Sequence, residues 1–338
     1  MPAALFRADA SPMVGGGHVM RCLTLAQALA GRGWDCAFAA AADTGAAAPA
    51  LAQSGFAVLE TGAGALEPEM VAGRDLLVID HYAIGATDER RVRGRVGRIA
   101  VIDDLADRDH DCDVLLDQNP GREAADYRDR VPAGCRLLLG ARHALLRPAF
   151  AAARAGALAR RRPAAAPRRL LVGFGMTDPH DLTSLALAAV EMSGLDVEVD
   201  VILGGGAPHL DAVRDRAARA PFAARVHTDL AADRVAAVMA AADLALGSAG
   251  GTAWERCTLG LPTLIVMDAD NQRQGCAALA ATGAARVVGR HGQVTAADLA
   301  GALGGLAADP ARLAAMAEAA AAICDGDGLR RVVEALAA

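Results

Sequence analysis

The sequence predicts two Rossmann-like α/β domains, each built on a doubly wound parallel sheet. The chain has 338 residues, which is long for one hydrophobic core and ordinary for two. Short apolar runs that end in Asp or Gly recur along the chain, and helical stretches separate them. Because these runs are apolar at consecutive positions, they fit strands buried on both faces of a parallel sheet.

The predicted strands fall into two groups. After a strand that ends near Arg7, the runs of the first half are 76–80, 99–103, 114–117 and 137–140. Those of the second half are 170–173, 199–204, 244–247, 264–268 and 285–289. We therefore expect an N-terminal domain over 1–150, a linker over 151–167 and a C-terminal domain over 168–338. Residues 311–338 are predicted to be helical, and a return of this tail across the boundary is left open.

Composition and charge exclude several classes of protein. The formal net charge of −6 argues against general nucleic-acid binding, which requires a basic surface. The seven cysteines are scattered, so neither a zinc site nor a disulfide framework is predicted. The sequence shows no secretion signal and no apolar run of membrane length, and the cytoplasm is the expected location.

A glycine motif follows the first predicted strand. Asp9 is followed by Gly15, Gly16 and Gly17, and His18 falls in the first turn of the next helix. Glycines allow close approach of a ligand, and a helix start offers free N–H groups. The positive end of the helix disfavours an imidazolium, so we expect a neutral imidazole that can accept a proton. A plain glycine turn with an exposed histidine is the alternative.

A second glycine motif, GSAGGTAWE, follows the strand at 244–247. Small residues at a strand–helix junction favour an anion site, and Glu255 is placed to accept ribose hydroxyls. Neither glycine motif has the dinucleotide spacing G-x-G-x-x-G, and a chain without lysine has no Walker A motif. The residues expected to bind the nucleotide are Ser248, Gly250, Gly251, Thr252 and Glu255.

Polar residues at other predicted strand ends are candidates for binding a sugar, because ligands sit at the carboxyl ends of parallel strands. The amides of Asn271 and Gln272 can bond neutral hydroxyls without changing protonation state. Tyr82 and Asn119 follow two strands of the first half. We expect these groups to line a cleft between the domains.

The motifs RADAS, GGGHVMRCL, VIDHY, LLDQN and GSAGGTAWERCTLGLP followed by DNQ resemble, in this order, the PseG family. These are UDP-2,4-diacetamido-2,4,6-trideoxy-β-L-altropyranose hydrolases of pseudaminic acid biosynthesis. The resemblance runs from Arg7 to about Gln272. It implies a GT-B fold similar to that of the glycosyltransferase MurG, with UDP in the C-terminal domain and the sugar near the N-terminal glycine loop.

The resemblance also implies a reaction: inverting hydrolysis at the anomeric carbon, without a metal or cofactor, with His18 as the general base. It places Tyr82 and Asn271 around the sugar and phosphates, Glu255 at the ribose, and Gly175 in a loop beside the nucleotide. Asp9, Gly16, Gly17, Asn119 and Gln272 are expected on the substrate side. Phe174 and His180 depart from the family pattern, which leaves the exact sugar open.

Two other functions remain open: a MurG-like glycosyltransferase, in which another hydroxyl replaces water, and a UDP-sugar-binding protein without catalysis. Release of UDP in the absence of an acceptor separates these alternatives from the hydrolase. The sequence does not decide whether Asp9 or Asp80 orients His18, whether cytidine replaces uridine, or how many subunits assemble.

Overall fold

The computed structural model describes residues 1–11, 15–161 and 166–337, and this part of the chain forms two compact α/β units. Unit 1 comprises Met1–Leu146 together with Asp327–Ala338, and unit 2 comprises Arg147–Gly326. The chain therefore leaves unit 1, builds all of unit 2 and returns to unit 1 for its last helix.

Unit 1 contains seven strands among its described residues: β1 Ala3–Ala8, β2 Asp35–Ala40, β3 Ala57–Glu60, β4 Leu76–Asp80, β5 Arg98–Ile102, β6 Val114–Asp117 and β7 Arg136–Leu139. With helices numbered along the whole chain, its α-helices are α1 Gly17–Ala30, α2 Thr44–Ala47, α3 Pro49–Ala52, α4 Pro68–Val71, α5 Ala86–Val92 and α14 Gly328–Ala337. The strands pair in parallel in the order β3-β2-β1-β4-β5-β6-β7.

Alternate residues of each strand pack on opposite faces of the unit 1 sheet. In β4, Leu76 and Val78 join the core cluster that contains residues of α1 and α14, whereas Leu77 and Ile79 join the cluster that contains residues of α4 and α5. Since successive side chains of a strand point to opposite faces, a sheet covered on both faces requires consecutive apolar residues. This explains the uninterrupted apolar runs in the sequence.

Unit 2 has six strands in its described residues: β8 Arg169–Gly173, β9 Glu198–Leu203, β10 Ala224–Thr228, β11 Leu244–Gly247, β12 Thr263–Met267 and β13 Ala285–Arg290. Its α-helices are α6 Pro148–Arg160, α7 Leu182–Ser193, α8 Leu210–Arg219, α9 Ala232–Ala241, α10 Thr252–Thr258, α11 Arg273–Ala281, α12 Ala296–Ala307 and α13 Pro310–Ile323. The strands are parallel in the order β10-β9-β8-β11-β12-β13.

The units divide the chain differently from the predicted boundaries at 150 and 168. Most of the predicted linker is α6, which packs into unit 2 with Phe150 and Ala157 buried. Arg154 binds this helix to the rest of unit 2 by donating to the carbonyl oxygens of Thr258, Ala321 and Cys324. Residues 162–165 of the predicted linker lie outside the described part of the chain.

The C-terminal helix α14 belongs to unit 1 and not to the predicted C-terminal domain. Val332, Val333 and Leu336 are buried in the same core cluster as residues of α1. These apolar residues need an apolar partner surface, and unit 1 supplies it. None of the helices in the described residues is long and apolar enough to cross a membrane.

Each predicted strand lies within one residue of an observed strand, but three strands were not predicted. β2 is rich in alanine, and its sequence DCAFAA does not distinguish a strand from a helix. β3 and β10 are edge strands with many partly exposed residues, so they lack an apolar run. Edge strands need less apolar surface because only one side is paired within the sheet.

Candidate active site

The first candidate region lies where the chain order reverses in the sheet of unit 1. Ala8, the last residue of β1, pairs with Asp80, the last residue of β4. A reversal of this kind leaves room for a ligand at the carboxyl ends of the two strands. A Cβ added to Gly17 would meet no atom of the described residues within 4 Å, so none of these residues fills the space beside Gly17.

Glycines shape the approach to α1. Gly15 has a φ of +78°, a left-handed conformation that favours glycine, and its amide donates to the carbonyl oxygen of Ser11 at 2.7 Å. Gly16 immediately precedes α1 and accepts from the amide of Met20 at 3.0 Å. The predicted residues Gly16 and Gly17 therefore lie at the start of the helix that carries His18.

His18 is 7% exposed and lies in the first turn of α1. Its Nδ1 lies 2.7 Å from Oδ1 of Asp80, and its ring meets the ring of Tyr82 edge-on with centroids 4.6 Å apart. A carboxylate only accepts, so Nδ1 donates to it, and Nε2 of the neutral ring is left as an acceptor. The geometry thus holds the imidazole in the tautomer that a general base requires.

Asp80 is a buried carboxylate shared by several donors. Arg21 donates to it from Nε at 2.5 Å and from Nη2 at 2.6 Å, and the thiol of Cys22 lies 3.7 Å from Oδ2. Burial alone would raise the pKa of Asp80, but Arg21 and His18 outweigh burial and hold this pKa well below its ordinary value. Of the two carboxylates that the sequence left open, the structure places Asp80 against His18.

The surroundings of Asp9 differ from those expected for a residue that binds the sugar. Arg7, buried in β1, donates to its two oxygens at 2.5 and 2.9 Å. The amide of Ala41 and Nε2 of His81 also bond its carboxylate. Burial alone would raise the pKa of Asp9, but these hydrogen bonds and the charge of Arg7 lower it. Because protein donors occupy the carboxylate, Asp9 braces the turn after β1 and neither orients His18 nor offers a free acceptor.

Asp104, at the end of β5, connects the other predicted residues of unit 1. The hydroxyl of Tyr82 and Nη1 of Arg21 donate to its Oδ2 at 3.4 and 3.3 Å. Nδ2 of Asn119 donates to its carbonyl oxygen at 3.0 Å. The ends of β4, β5 and β6 thus bring Tyr82 into contact with His18 and connect Asn119 to the same network.

The second candidate region lies at the corresponding reversal in unit 2, where Gly247 of β11 pairs with Gly173 of β8. Residues 248–251 form a turn between β11 and α10. Among the described residues, no acceptor bonds the amides of Gly250, Gly251 and Thr252. Ser248 itself is buried, 4% exposed. Free amides in a tight turn are suited to binding an anion.

Gly175 follows β8 and has a φ of +109°, which a residue with a side chain rarely adopts. A Cβ there would meet no described atom within 4 Å, so the backbone at Gly175 borders open space. The predicted contact of Gly175 with the nucleotide stays a prediction.

Glu255 lies in α10, and its side chain is 10% exposed. Oε1 accepts from Nη2 of Arg147 at 2.9 Å, whereas Oε2 is buried without a partner among the described residues. Burial raises the pKa of Glu255, and the charges of Arg147 and Arg256 offset only part of this rise. A buried acceptor without a partner is unfavourable, and a hydroxyl donor from a ligand relieves it.

Gln272 and Asn271 have different surroundings. Oε1 of Gln272 accepts from the amides of Ala249 and Asp268, both at 3.2 Å, so this side chain fastens the 248–251 turn to the end of β12. Asn271 is exposed in the short 3-10 helix Asp270–Gln272. Of the two residues predicted to contact the substrate, Gln272 therefore holds the turn in position, whereas Asn271 has an exposed amide on the same edge of the sheet.

Sequence reasoning missed three arginines. Arg21 bonds Asp80, Arg147 bonds Glu255, and Arg256 lies beneath the 248–251 turn. Arg21 could have been found, because it stands three residues after His18 and so shares a helix face with it. Arg147 and Arg256 have no such signal, since nothing in the sequence distinguishes them from arginines that lie far from the site.

Across residues 1–11, 15–161 and 166–337, no group of three or more His, Cys, Asp or Glu side chains is arranged to hold a metal ion.

No family model matches the chain. It is similar to the UDP-2,4-diacetamido-2,4,6-trideoxy-β-L-altropyranose hydrolase of Campylobacter jejuni, at 33% identity over 152 residues, which are 43% of this chain and 52% of that protein. It is also similar to the spore coat polysaccharide biosynthesis protein SpsG of Bacillus subtilis, at 29% identity over 168 residues, or 48% of each chain. The chain spans about half the length of these curated relatives. The first similarity confirms the resemblance to the PseG family.

Solved structures that are similar to this chain over its whole length include the following two. MurG of Acinetobacter baumannii has a TM-score of 0.69 at 17% identity and covers 100% of this chain and 99% of its own. UDP-GlcNAc 2-epimerase of Neisseria meningitidis, solved with UDP-GlcNAc bound, has a TM-score of 0.66 at 10% identity and covers 100% of both chains. At these identities the likeness shows the fold alone, and it confirms the predicted GT-B fold with two Rossmann-like domains.

Proposed function

We propose that this protein hydrolyses a UDP-linked 2,4-diacetamido-2,4,6-trideoxy sugar at the anomeric carbon and releases UDP and the free sugar, a step of pseudaminic acid biosynthesis. The observation that carries the proposal is the contact between Nδ1 of His18 and Asp80 at 2.7 Å, which leaves Nε2 as a proton acceptor. The resemblance to the PseG family and the similarity to the Campylobacter jejuni hydrolase supply the substrate class.

In the proposed reaction, Nε2 of His18 takes a proton from a water molecule whose oxygen attacks the anomeric carbon. The bond from that carbon to the phosphate oxygen breaks, and its electron pair leaves with UDP, so the configuration inverts. UDP is a good leaving group and needs no strong acid. Asp80 stays ionised and stabilises the imidazolium that forms, as the aspartate does in a serine-protease triad.

Unit 2 binds the UDP part of the substrate in this proposal. The amides of Gly250, Gly251 and Thr252 bond the diphosphate, and Oε2 of Glu255 accepts from a ribose hydroxyl. Charge that builds on the leaving diphosphate is then stabilised by donors that are already in place. The proposed reaction uses no metal ion or other cofactor. Its partner is a single UDP-sugar, and we propose a cytoplasmic location.

The experiment is to incubate the purified protein with UDP-linked amino-sugars, including the 2,4-diacetamido-2,4,6-trideoxy sugar, and to measure free UDP. His18→Ala is expected to slow UDP release by about 10²–10⁴-fold while UDP still binds, because only the general base is lost. Unchanged release by this variant removes His18 from the proposed role.

Glu255→Ala should chiefly weaken UDP binding, measured by calorimetry, since the ribose loses its acceptor. A defect in turnover with unchanged UDP affinity contradicts the ribose assignment. His18→Ala is the matched control, because it is expected to lose turnover and keep UDP affinity.

The likeness to MurG favours a second candidate, a glycosyltransferase with the same nucleotide site. A hydrolase releases UDP at its full rate with only water present, whereas a transferase needs an acceptor. UDP release that appears only after a sugar or lipid acceptor is added supports the transferase.

A further inference from the structure

Arg256 lies in α10, is 2% exposed and reaches back beneath the turn that joins β11 to α10. Its Nη2 donates to the carbonyl oxygen of Ser248, and its Nη1 donates to Oγ1 of Thr252 at 3.2 Å. A Cβ added to Gly247 would lie 2.8 Å from Nη1. The guanidinium therefore takes up the space that a side chain at position 247 would need, directly under residues 248–252.

Arg256 forms no salt bridge within the part of the chain that the structure describes. Within the described residues, no carboxylate oxygen lies within 4.0 Å of its guanidinium, whereas the buried Arg7 and Arg122 each pair with an aspartate. Its Nε is buried without a hydrogen-bond partner. Burial lowers the pKa of Arg256 to about 10, against the smaller opposing effects of Cys257 and Glu255. An uncompensated buried charge is costly to the fold.

The hydrogen bond to Thr252 has a direction. A guanidinium only donates, so Oγ1 of Thr252 accepts from Arg256, and the hydroxyl proton of Thr252 is available to another acceptor. The amides of Gly250 and Gly251 bond no acceptor among the described residues, so the same turn offers further donors.

We propose that Arg256 is a positioning residue for the diphosphate of the nucleotide. It acts from beneath the 248–251 turn without touching the ligand, and it supplies the positive charge that the phosphates neutralise. This inference rests on the proposed binding of UDP at that turn. It predicts that the effect of Arg256 grows with the charge of the ligand, because Coulomb energy in a poorly solvated site scales with that charge.

The test is calorimetric titration of the full-length protein with UDP, UMP and uridine. Arg256→Gln keeps a side-chain donor but removes the charge. It is expected to weaken UDP binding by roughly tenfold or more, UMP binding less, and uridine binding hardly at all. Arg256→Lys keeps the charge, so its ratio of UDP to uridine affinity should stay near that of the wild type.

Arg161→Gln is the matched control. Arg161 also lies in unit 2, but it donates only to main-chain carbonyl oxygens, those of Met239, Ala242 and Leu259. This variant should lower the melting temperature and leave the affinity ratio unchanged. If Arg256→Gln does not fold, as circular dichroism would show, the ratio in Arg256→Lys decides the matter.

An equal loss of UDP and uridine affinity in folded Arg256→Gln overturns the inference, since it points to a collapsed turn. A lost charge dependence in folded Arg256→Lys overturns it as well. Failure of the wild type to bind UDP overturns the proposed function itself, and that outcome is distinct from either result with the variants.

Discussion

At the residue scale, Asp80 is the residue on which the site of unit 1 depends. Its carboxylate is shared by His18 and Arg21, and no oxygen of it reaches solvent, because its side chain is 0% exposed. The bidentate pair with Arg21 keeps it ionised and fixed in orientation. A fixed anion beside Nδ1 then selects both the tautomer and the orientation of the imidazole.

Asp80→Asn is expected to reduce UDP release toward the level of His18→Ala, within the range of about 10²–10⁴-fold for loss of a general base. The amide can donate to Nδ1, which moves the ring proton to Nε2 and removes the acceptor. Steady-state assays at saturating substrate measure the effect, with UDP affinity as the control. Wild-type turnover in this variant would show that Asp80 does not orient His18.

Asp80 also makes stability depend on pH. Its pKa in the folded chain is below the ordinary value of 3.8, so its stabilising contribution is present in full above 3.8. This contribution is lost progressively as pH falls from that value toward and through the lower pKa of the folded chain. The difference in free energy of unfolding between wild type and Asp80→Asn, measured in urea, should be smaller at pH 3 than at pH 6. A difference that grows on acidification contradicts the lowered pKa.

At the scale of elements, α14 completes the core of unit 1 from the far end of the chain. Its apolar face is buried with α1, and Nη1 of Arg98 donates to the carbonyl oxygen of Leu336 at 3.1 Å. The first residue, Gly328, lies so close to Ala144 that an added Cβ would be 2.4 Å from the carbonyl oxygen. The helix can therefore dock only with glycine at its start.

Gly328→Ala should destabilise the protein by about 1–3 kcal/mol, because the Cβ forces the backbones apart. Gly301→Ala is the control: Gly301 is inside α12, a Cβ there meets nothing within 4 Å, and a gain of about 0.4–1 kcal/mol is expected. Urea denaturation measures both. Equal effects of the two substitutions would show that close packing at Gly328 does not matter.

At the scale of the whole molecule, both units share one feature of sheet topology. In each, the chain order reverses beside the first strand, β1 next to β4 and β8 next to β11, and the candidate residues lie at those carboxyl ends. Such reversals are where doubly wound sheets bind ligands. The two units divide the proposed work, since His18 belongs to unit 1 and the anion-binding turn to unit 2.

UDP is expected to stabilise unit 2, by about 2.7 kcal/mol at a ligand concentration of 100 times Kd. Hydrogen exchange should then slow in residues 173–178 and 247–258 of unit 2, and the strands of unit 1 should keep their exchange rates. Glu255→Ala serves as the control and should show weaker protection at the same UDP concentration. Protection confined to unit 1 would contradict the proposed nucleotide site.

Much of the architecture was predictable, because burial on both faces leaves a mark in the sequence. The runs at 76–80, 114–117 and 244–247 coincide with β4, β6 and β11. The glycine motifs could also be recognised in the sequence, since tight turns at strand ends restrict the residue type. The edge strands β3 and β10 escaped this reasoning because they are only partly buried.

The partners within the site were not predictable from the sequence. Asp9 stands nine residues before His18 and looked as suitable as Asp80, yet the buried Arg7 beside it in the chain binds its carboxylate. Asp80 is 62 residues from His18 and meets it only because β4 lies beside β1.

The sequence by itself determined the alternation of strands and helices, the two glycine turns and the histidine at a helix start, because burial and backbone conformation act over a few neighbouring residues. Tertiary structure alone decided which carboxylate faces His18, which arginines lie beneath the turns, and where the last helix packs. These contacts depend on the order of strands in the sheets. That order brings together residues that are far apart along the chain, and nothing in their sequence positions indicates that they meet.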